Sequence, residues 1–296
     1  MAAAVNFIGL GVMGRPMARN LASAGFEVTA FTRTDASRSR ARGDGLTVVD
    51  DLAELPRDPD FVVTMLPDAP DVEAVLFAAD GPVARSSEAT LFIDMSTVSP
   101  AAARSLAQRL GEQGRRSLDA PVSGGEAGAV NGVLAIMVGG EAEDVAKAQP
   151  LFEALGSTVV HVGGHGAGQV TKAANQLIVA SNLAILAEAL VFVRRQGLDP
   201  AVVVEAIRGG LAGSTVIDRK AAAMIAGDYS PGFRLALHDK DLGIVEREAA
   251  ALGLPLELTA LVAGRIHGLV EAGRGELDHG ALYLAAAELA GEENLG

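Results

Sequence analysis

Apolar residues come first in short runs between glycine-rich or polar turns, and past the midpoint in long stretches with helical spacing. Short apolar runs bounded by turn residues read as buried strands. By that rule Val5–Ile8, Glu27–Phe31, Phe61–Met65, Leu91–Met95, Val133–Val138 and Thr158–Val162 are predicted strands. Helical patterns lie between several of them, notably Pro100–Gly114 and Glu141–Leu155. Such alternation predicts an α/β unit with a mostly parallel, doubly wound sheet and helical crossovers. From about Gly166 the strand signals stop. Helices are expected at 168–196, 199–209, 214–226, 234–252, 256–273 and 279–290. Asp199-Pro200 suits an N-cap and first helical position, and Gly197 and Gly253 suit helix ends. Gly163-Gly164-His165-Gly166 is the expected boundary, giving an α/β domain over 1–164 and an all-α domain over 165–296.

The first strand runs into Gly9-Leu10-Gly11-Val12-Met13-Gly14 and then a helical pattern ending near Gly25. This is the G-x-G-x-x-G turn of a Rossmann dinucleotide site. Its first glycine permits the bend, its second lets backbone approach a pyrophosphate, and its third packs helix on strand. The phosphates would rest on the helix N-terminus. At the end of the second strand, where an acid would accept bonds from an adenosine ribose, the chain has Thr32-Arg33-Thr34 before Asp35. A guanidinium there suits a 2′-phosphate, so NADP is preferred and NAD remains possible. The alternative is that Arg33 only stacks on adenine. Three later turns fall where strands should end: Met65-Leu66-Pro67, Asp94-Met95-Ser96-Thr97, and the stretch from Asp119 to Ser123-Gly124-Gly125. The first two would flank the ribose and nicotinamide. The third offers backbone N–H groups to a small carboxylate.

The chain has 296 residues, a net charge of −13 and no cysteine. Its acidity argues against a nucleic-acid partner, so an anionic ligand would be held by local cations. The absence of cysteine excludes disulfides, thiol nucleophiles and thiolate metal sites. With no signal-peptide pattern, a cytoplasmic protein is expected. Ala173–Val193 is apolar enough to raise the question of a membrane span, but Asn175, Gln176, Asn182 and Glu188 interrupt it. It is read instead as a buried central helix, with no membrane partner. An apolar spine in so small a helical domain also suggests a homodimer or homotetramer. No metal site is expected: His161 and His165 straddle glycines and are read as loop residues, and His238 as a packing or capping group. Arg208 and Ser214 are candidates for contact with substrate, a neighbouring subunit or another helix.

Lysine is scarce, four residues against twenty arginines, and Lys172 opens a run of fifteen uncharged residues. An amine can give up a proton where a guanidinium cannot, so Lys172 is a candidate acid/base; a helix-start lysine reaching to solvent is the alternative. On a helix, Lys172, Asn175, Gln176 and Val179 share one face, which makes Asn175 and Gln176 candidates to hold the substrate beside Lys172. Facing a nicotinamide, Lys172 would stabilise the oxygen of a carbonyl under reduction and protonate it.

GLGVMGRPMARNL, DMST, DAPVSGG, GAGQVTKAANQ and HDKDL, in this order along nearly the whole chain, resemble the β-hydroxyacid dehydrogenase family. The resemblance implies a Rossmann domain followed by a helical domain, with NAD(P)-dependent interconversion of a small 3-hydroxy acid and its semialdehyde at the interdomain cleft. It implies Lys172 as catalytic acid/base, Ser123-Gly124-Gly125 and Asn175 on the substrate, and Lys240 against the cofactor. The stretches around Asn175-Gln176 and Ala206–Ser214 look most like the branch that reduces tartronate semialdehyde. A 3-hydroxyisobutyrate dehydrogenase, another short-chain semialdehyde or glyoxylate reductase, or a scaffold that binds dinucleotide without chemistry are the alternatives. Thr32 departs from an aspartate common in that branch, which favours NADPH.

Overall fold

Phe7 and Ile8 are neighbours in a strand, and neighbouring strand residues point to opposite faces. Each is buried in a different core. The computed structural model describes residues 2–291. The chain divides into two compact units between Lys172 and Ala173.

The strands of the first unit are β1 Ala4–Ile8, β2 Glu27–Phe31, β3 Thr47–Val49, β4 Phe61–Thr64, β5 Leu91–Asp94, β6 Arg116–Asp119, β7 Val122–Ser123, β8 Leu134–Gly140 and β9 Gly156–Gly163. Its helices are α1 Gly14–Ser23, α2 Asp35–Gly43, α3 Ala69–Leu76, α4 Pro82–Arg85, α5 Pro100–Gly111, α6 Gly125–Asn131 and α7 Ala142–Glu153. The sheet runs β3-β2-β1-β4-β5-β6-β8-β7, with β9 beside β8. From β3 to β6 the pairing is parallel in the 3-2-1-4-5-6 Rossmann order, and β8 turns antiparallel to β6 and β7. On one face Phe7, Val63 and Ile93 pack with Met17 and Leu21 of α1 and Leu151 and Phe152 of α7. On the other Ile8, Val62 and Phe92 pack with Val72 and Leu76 of α3 and Leu106 and Leu110 of α5. Parallel strands covered on both faces read as unbroken apolar runs, which is why β1, β4 and β5 are visible in the sequence.

Three strands lie outside the predicted set. β3 is a three-residue strand at the sheet edge, and β6 begins Arg116-Ser117 with Leu118 as its one apolar residue. β7 lies inside the segment read as a single turn from Asp119 to Gly125; Val122 and Ser123 pair with Ile136 and Ala135. Pairing across the sheet, not local pattern, makes these segments extended. His161 lies within β9, which corrects its reading as a loop residue.

The second unit is helical. α8 Ala167–Arg195 enters it at Ala173, followed by α9 Pro200–Ile207, α10 Thr215–Ala226, α11 Leu235–Ala251, α12 Glu257–Leu269 and α13 Leu282–Leu289. Asp199 caps α9 as expected, with its side chain accepting from the N–H of Ala201. The helix predicted to Gly273 ends at Leu269 and widens through Val270–Arg274, where Gly273 takes φ of 79°. Leu183, Leu186 and Leu190 of α8 form one core with Met224, Leu242, Ile266 and Tyr283. α8 is the spine of this unit, covered on one side only. Among the described residues it is the one helix long and apolar enough to cross a membrane, but only 44 % of its most apolar window is buried. Ile178, Ile185 and Phe192 recur every seven residues on its open face. The inner row alone belongs to the core.

Candidate active site

Parallel strands place their carboxyl ends along one edge, and the loops at that edge form the usual ligand crevice of an open α/β sheet. The glycine turn sits there between two neighbours. The Gly9 N–H donates to Phe31 O at 2.9 Å, and a Cβ on Gly9 would lie 2.2 Å from Met65 O, at a φ of +104°. A Cβ on Gly14 would lie 1.8 Å from Gly9 O, so the start of α1 is pressed against the turn. A Cβ on Gly11 would meet no atom within 4 Å. Leu10 is buried, Val12 is exposed, and Met13 occupies the N-cap of α1 without a side-chain cap bond. Two glycines thus close the turn while the third leaves backbone open on the ligand side, which fits a dinucleotide pyrophosphate.

Next to this turn, Arg33 follows β2 with its side chain 67 % exposed and 3.0 Å from Asp71 of α3. Arg38 of α2 donates to the carbonyls of Thr32 and Arg33, holding the backbone that presents Arg33. Thr34 is committed to the N-cap of α2, where its hydroxyl accepts from the Ser37 N–H. Beyond β4, Met65-Leu66-Pro67 is tied to the next turn by the Leu66 N–H donating to Ser96 Oγ at 2.9 Å. Ser123 closes β7, and Gly124 and Gly125 follow with φ of +146° and +62° at the start of α6. That positive-φ pair is what an L side chain would resist, and it turns the chain sharply after β7.

Behind these turns lies a buried polar lattice that sequence reasoning missed as a unit. Asp94 Oδ1 accepts from Thr64 Oγ1 at 2.8 Å and from the Ser96 N–H at 3.1 Å, while its Oδ2 is buried without a hydrogen-bond partner. Asp119, its register neighbour on β6, accepts from the N–H of Gly166 at 2.7 Å and of Gln169 at 3.0 Å. Gln169 donates from Nε2 to Ser96 O and accepts at Oε1 from the Val98 N–H. Lys172, one turn further along α8, is only 6 % exposed. Asp94 and Asp119 stood in the quoted turns, and the apolar strand that ends at Asp94 was the available signal. The compact units part after Lys172 because this first turn of α8 is hydrogen-bonded to the sheet edge of the first unit.

Burial pushes the Asp94 carboxyl up to about 6, against the downward pull of Ser96 and Thr64 and with a smaller upward push from Asp119. The Asp119 carboxyl is likewise raised by burial, offset in part by the N–H groups of Gly166 and Gln169. A carboxyl raised in the folded state favours folding below its unfolded value and loses that advantage as pH rises through the folded value. Asp94→Asn should therefore gain on the wild type as pH rises from about 4 to about 7, by on the order of 3 kcal/mol. Urea unfolding of both proteins across that range checks this, and a pH-independent difference would contradict it.

In the second unit, Asn175 Nδ2 donates to Gln176 Oε1 at 2.8 Å, and Gln176 Nε2 donates to Asp241 Oδ2 at 2.5 Å. Lys240 Nζ lies 3.2 Å from Asp241 Oδ1. Asn175, Gln176 and Lys240 are thereby brought together through Asp241, which the sequence reading named only within HDKDL. His238 is fully buried, and its Nε2 lies 3.3 Å from Gln176 O. A carbonyl only accepts, so that nitrogen carries the hydrogen, and His238 Nδ1 accepts from His279 Nδ1 at 3.1 Å. Phe233 packs edge-on to both rings. His238 therefore packs and braces α8. Ser214 caps α10 through the Ile217 N–H, and Arg208 pairs with Glu205 and Asp218, so both are occupied within their own unit. Among the described residues no group of three or more His, Asp or Glu could hold a metal ion.

A Rossmann unit with an open glycine turn and a helical second unit define an NAD(P)-binding oxidoreductase architecture. Residues 4–163 match the family model described as the NAD binding domain of 6-phosphogluconate dehydrogenase, and residues 166–286 match that described as NAD-binding of NADP-dependent 3-hydroxyisobutyrate dehydrogenase. The chain is 41 % identical over 281 residues to the 2-hydroxy-3-oxopropionate reductase of Escherichia coli, covering 95 % of this chain and 96 % of the relative. It is similar to the solved 3-hydroxyisobutyrate dehydrogenase of Mycobacterium tuberculosis with L-serine, at 33 % identity and a TM-score of 0.86 over 96 % of this chain and 99 % of that one. A similar structure, Psf3 in complex with NADP+ and 2-OPP, is 26 % identical with a TM-score of 0.86 over 95 % of this chain and 99 % of that one. The chain belongs to the NAD(P)-dependent β-hydroxyacid dehydrogenase family, as its motifs led us to expect.

Proposed function

We propose that the protein reduces tartronate semialdehyde to glycerate with NADPH, using Lys172 as the proton donor. The observation that carries the chemistry is a lysine 6 % exposed, one helical turn beyond a residue bonded to the turns that end β5 and β6. The 41 % identity to the 2-hydroxy-3-oxopropionate reductase supports the substrate. When bound, the reduced nicotinamide supplies the hydride. Lys172 stabilises the charge that develops on the aldehyde oxygen and delivers its proton. The backbone N–H groups of Ser123-Gly124-Gly125 hold the substrate carboxylate, and Asn175, oriented by Gln176, accepts or donates at the hydroxyls. Gly9, Leu10, Gly11, Val12, Met13 and Gly14 receive the pyrophosphate. Met65-Leu66-Pro67 and Thr97 line the rest of the cofactor, and the family resemblance assigns Lys240 to it as well.

NADPH is favoured over NADH by Arg33. Its guanidinium is largely exposed beside Asp71, and pairs with a solvated partner contribute little, so it is available to a phosphate that offers bidentate bonds. A second reading, oxidation of 3-hydroxyisobutyrate or a related short acid such as serine, is supported by the similarity to the M. tuberculosis enzyme.

A substrate panel tests both. Purified protein is offered tartronate semialdehyde, methylmalonate semialdehyde, glyoxylate and succinate semialdehyde with each reduced nicotinamide. The highest kcat/KM is expected for tartronate semialdehyde with NADPH. Preference for methylmalonate semialdehyde would move the assignment to the second reading, and no turnover with any compound would leave a dinucleotide-binding scaffold. In the same assay Arg33→Ala should raise KM for NADPH about 10- to 100-fold, the loss of one or two charge-assisted bonds, and barely change NADH. Equal losses for the two cofactors would remove the phosphate role.

A further inference from the structure

Gln169 is 1 % exposed, and its side chain makes two bonds that bracket one residue. Its Nε2 donates to Ser96 O at 2.8 Å, and its Oε1 accepts from the Val98 N–H at 3.2 Å. The amide therefore pairs with the main chain on both sides of Thr97, as a strand neighbour would, and fixes the Thr97 turn against α8. Its own N–H donates to Asp119 Oδ2 at 3.0 Å, and the Gly166 N–H donates to Oδ1 of the same carboxylate at 2.7 Å. The first turn of α8 is thus held at two levels. Its backbone is anchored to β6 and its Gln169 side chain to the end of β5. Close approach enforces this seat: a Cβ on Gly168 would lie 2.4 Å from Met137 O and 2.8 Å from Asp119.

Lys172 lies three residues beyond Gln169, on the same face of the helix and about 4.5 Å further along its axis. A helix is stiff over one turn, so whatever fixes Gln169 fixes the start of the Lys172 side chain. We infer that Gln169 is a positioning residue that sets the Lys172 amine relative to the Thr97 turn, through its two-point grip on Ser96 and Val98. The inference rests on the reading of Lys172 as the proton donor. Small displacements of a proton donor are expensive in rate, because transfer requires hydrogen-bond reach of about 2.6–3.2 Å.

Gln169→Glu is the informative variant. The carboxylate keeps an acceptor for Val98 but loses the donor to Ser96 O and repels it, while the backbone anchor to Asp119 stays. Gln169→Asn, with the same amide on a shorter stem, is the companion should the charged variant fold poorly. Either should lower kcat by about 10- to 100-fold, leave NADPH Kd within about threefold, and raise the solvent deuterium isotope effect on kcat as proton delivery becomes limiting. The decisive measurement is a double-mutant cycle with Lys172→Ala. If Gln169 acts through the lysine, Gln169→Glu should change the residual rate of Lys172→Ala by less than about twofold. A fully additive loss, or single variants with wild-type kcat and isotope effect, would overturn the inference while leaving Lys172 in place. A Lys172→Ala protein that keeps its activity would instead remove the proton-donor reading, and the inference with it.

Discussion

Replacing Lys172 with alanine should lower kcat by about 10²–10⁴, the range contributed by a well-placed general acid. That is roughly 3–5 kcal/mol of transition-state stabilisation. The loss should fall on the chemical step. On the proposed reading the cofactor is held by the glycine turn and Arg33, on β1, β2 and α1, so NADPH Kd should change little, and fluorescence titration of the nicotinamide measures it directly. Lys172→Arg separates charge from proton donation, since a guanidinium keeps the cation but holds its proton at any ordinary pH. It should recover substrate binding better than turnover. Retention of most of the wild-type kcat in Lys172→Ala would take the lysine out of the reaction.

Asp278 should be the largest single contributor to the stability of the helical unit among its ionisable groups. It is 4 % exposed. Its two oxygens accept from Lys220 Nζ at 2.7 and 2.8 Å and from the N–H groups of Gly232, Phe233 and Gly280 at 2.9–3.0 Å. Asp278→Ala leaves those donors and the half-buried ammonium without their acceptor, which should destabilise the protein by about 3–5 kcal/mol. Lys220→Met should cost less, because the carboxylate keeps three N–H donors. Burial alone would push the Asp278 carboxyl up. The Lys220 bond, the His279 charge and the Phe233 and Gly280 N–H groups outweigh it and hold the carboxyl below its ordinary value. A lowered folded value means the contribution is present above the ordinary carboxylate range and fades as pH falls through the folded value. The gap between wild type and Asp278→Ala in chemical denaturation should therefore be full at pH 7 and shrink towards pH 3. A gap of less than about 1 kcal/mol at pH 7, the level of an exposed pair, would refute the assignment.

Asp94 and Asp278 act in opposite directions with pH for one physical reason. Both are buried, but Asp278 faces an ammonium and three N–H donors, whereas Asp94 has one oxygen without a partner and a second carboxylate on the adjacent strand. Burial wins where compensation is incomplete.

Much of the site was legible because its elements are local. The glycine turn needs only three positions in a row of six: Gly9 and Gly14 lie against backbone that a Cβ would strike, and Gly11 has open space. The strands covered on both faces announce themselves as apolar runs, and the helical unit by its period and caps. The lattice beneath the turns was not legible. Asp94, Asp119 and Gln169 lie far apart in the chain, and each alone is an ordinary polar residue. Only the register of β5 beside β6, with the α8 turn laid across their ends, makes them one hydrogen-bonded group. The same holds for His238 and His279, which no motif connects and one buried contact joins.

Local pattern by itself determined the apolar strands of the α/β unit and the helices of the second, the glycine-rich turn, the lysine at the head of an apolar helix and the family to which the chain belongs. Those features depend on residues near one another in sequence, where steric and periodic rules act directly. Tertiary structure decided which polar residues were removed from water, which carboxyl gained a counter-charge and which did not, and which face of α8 was left open. Burial and hydrogen-bond partnership are properties of what surrounds a residue, and distant segments of the chain supply the surroundings.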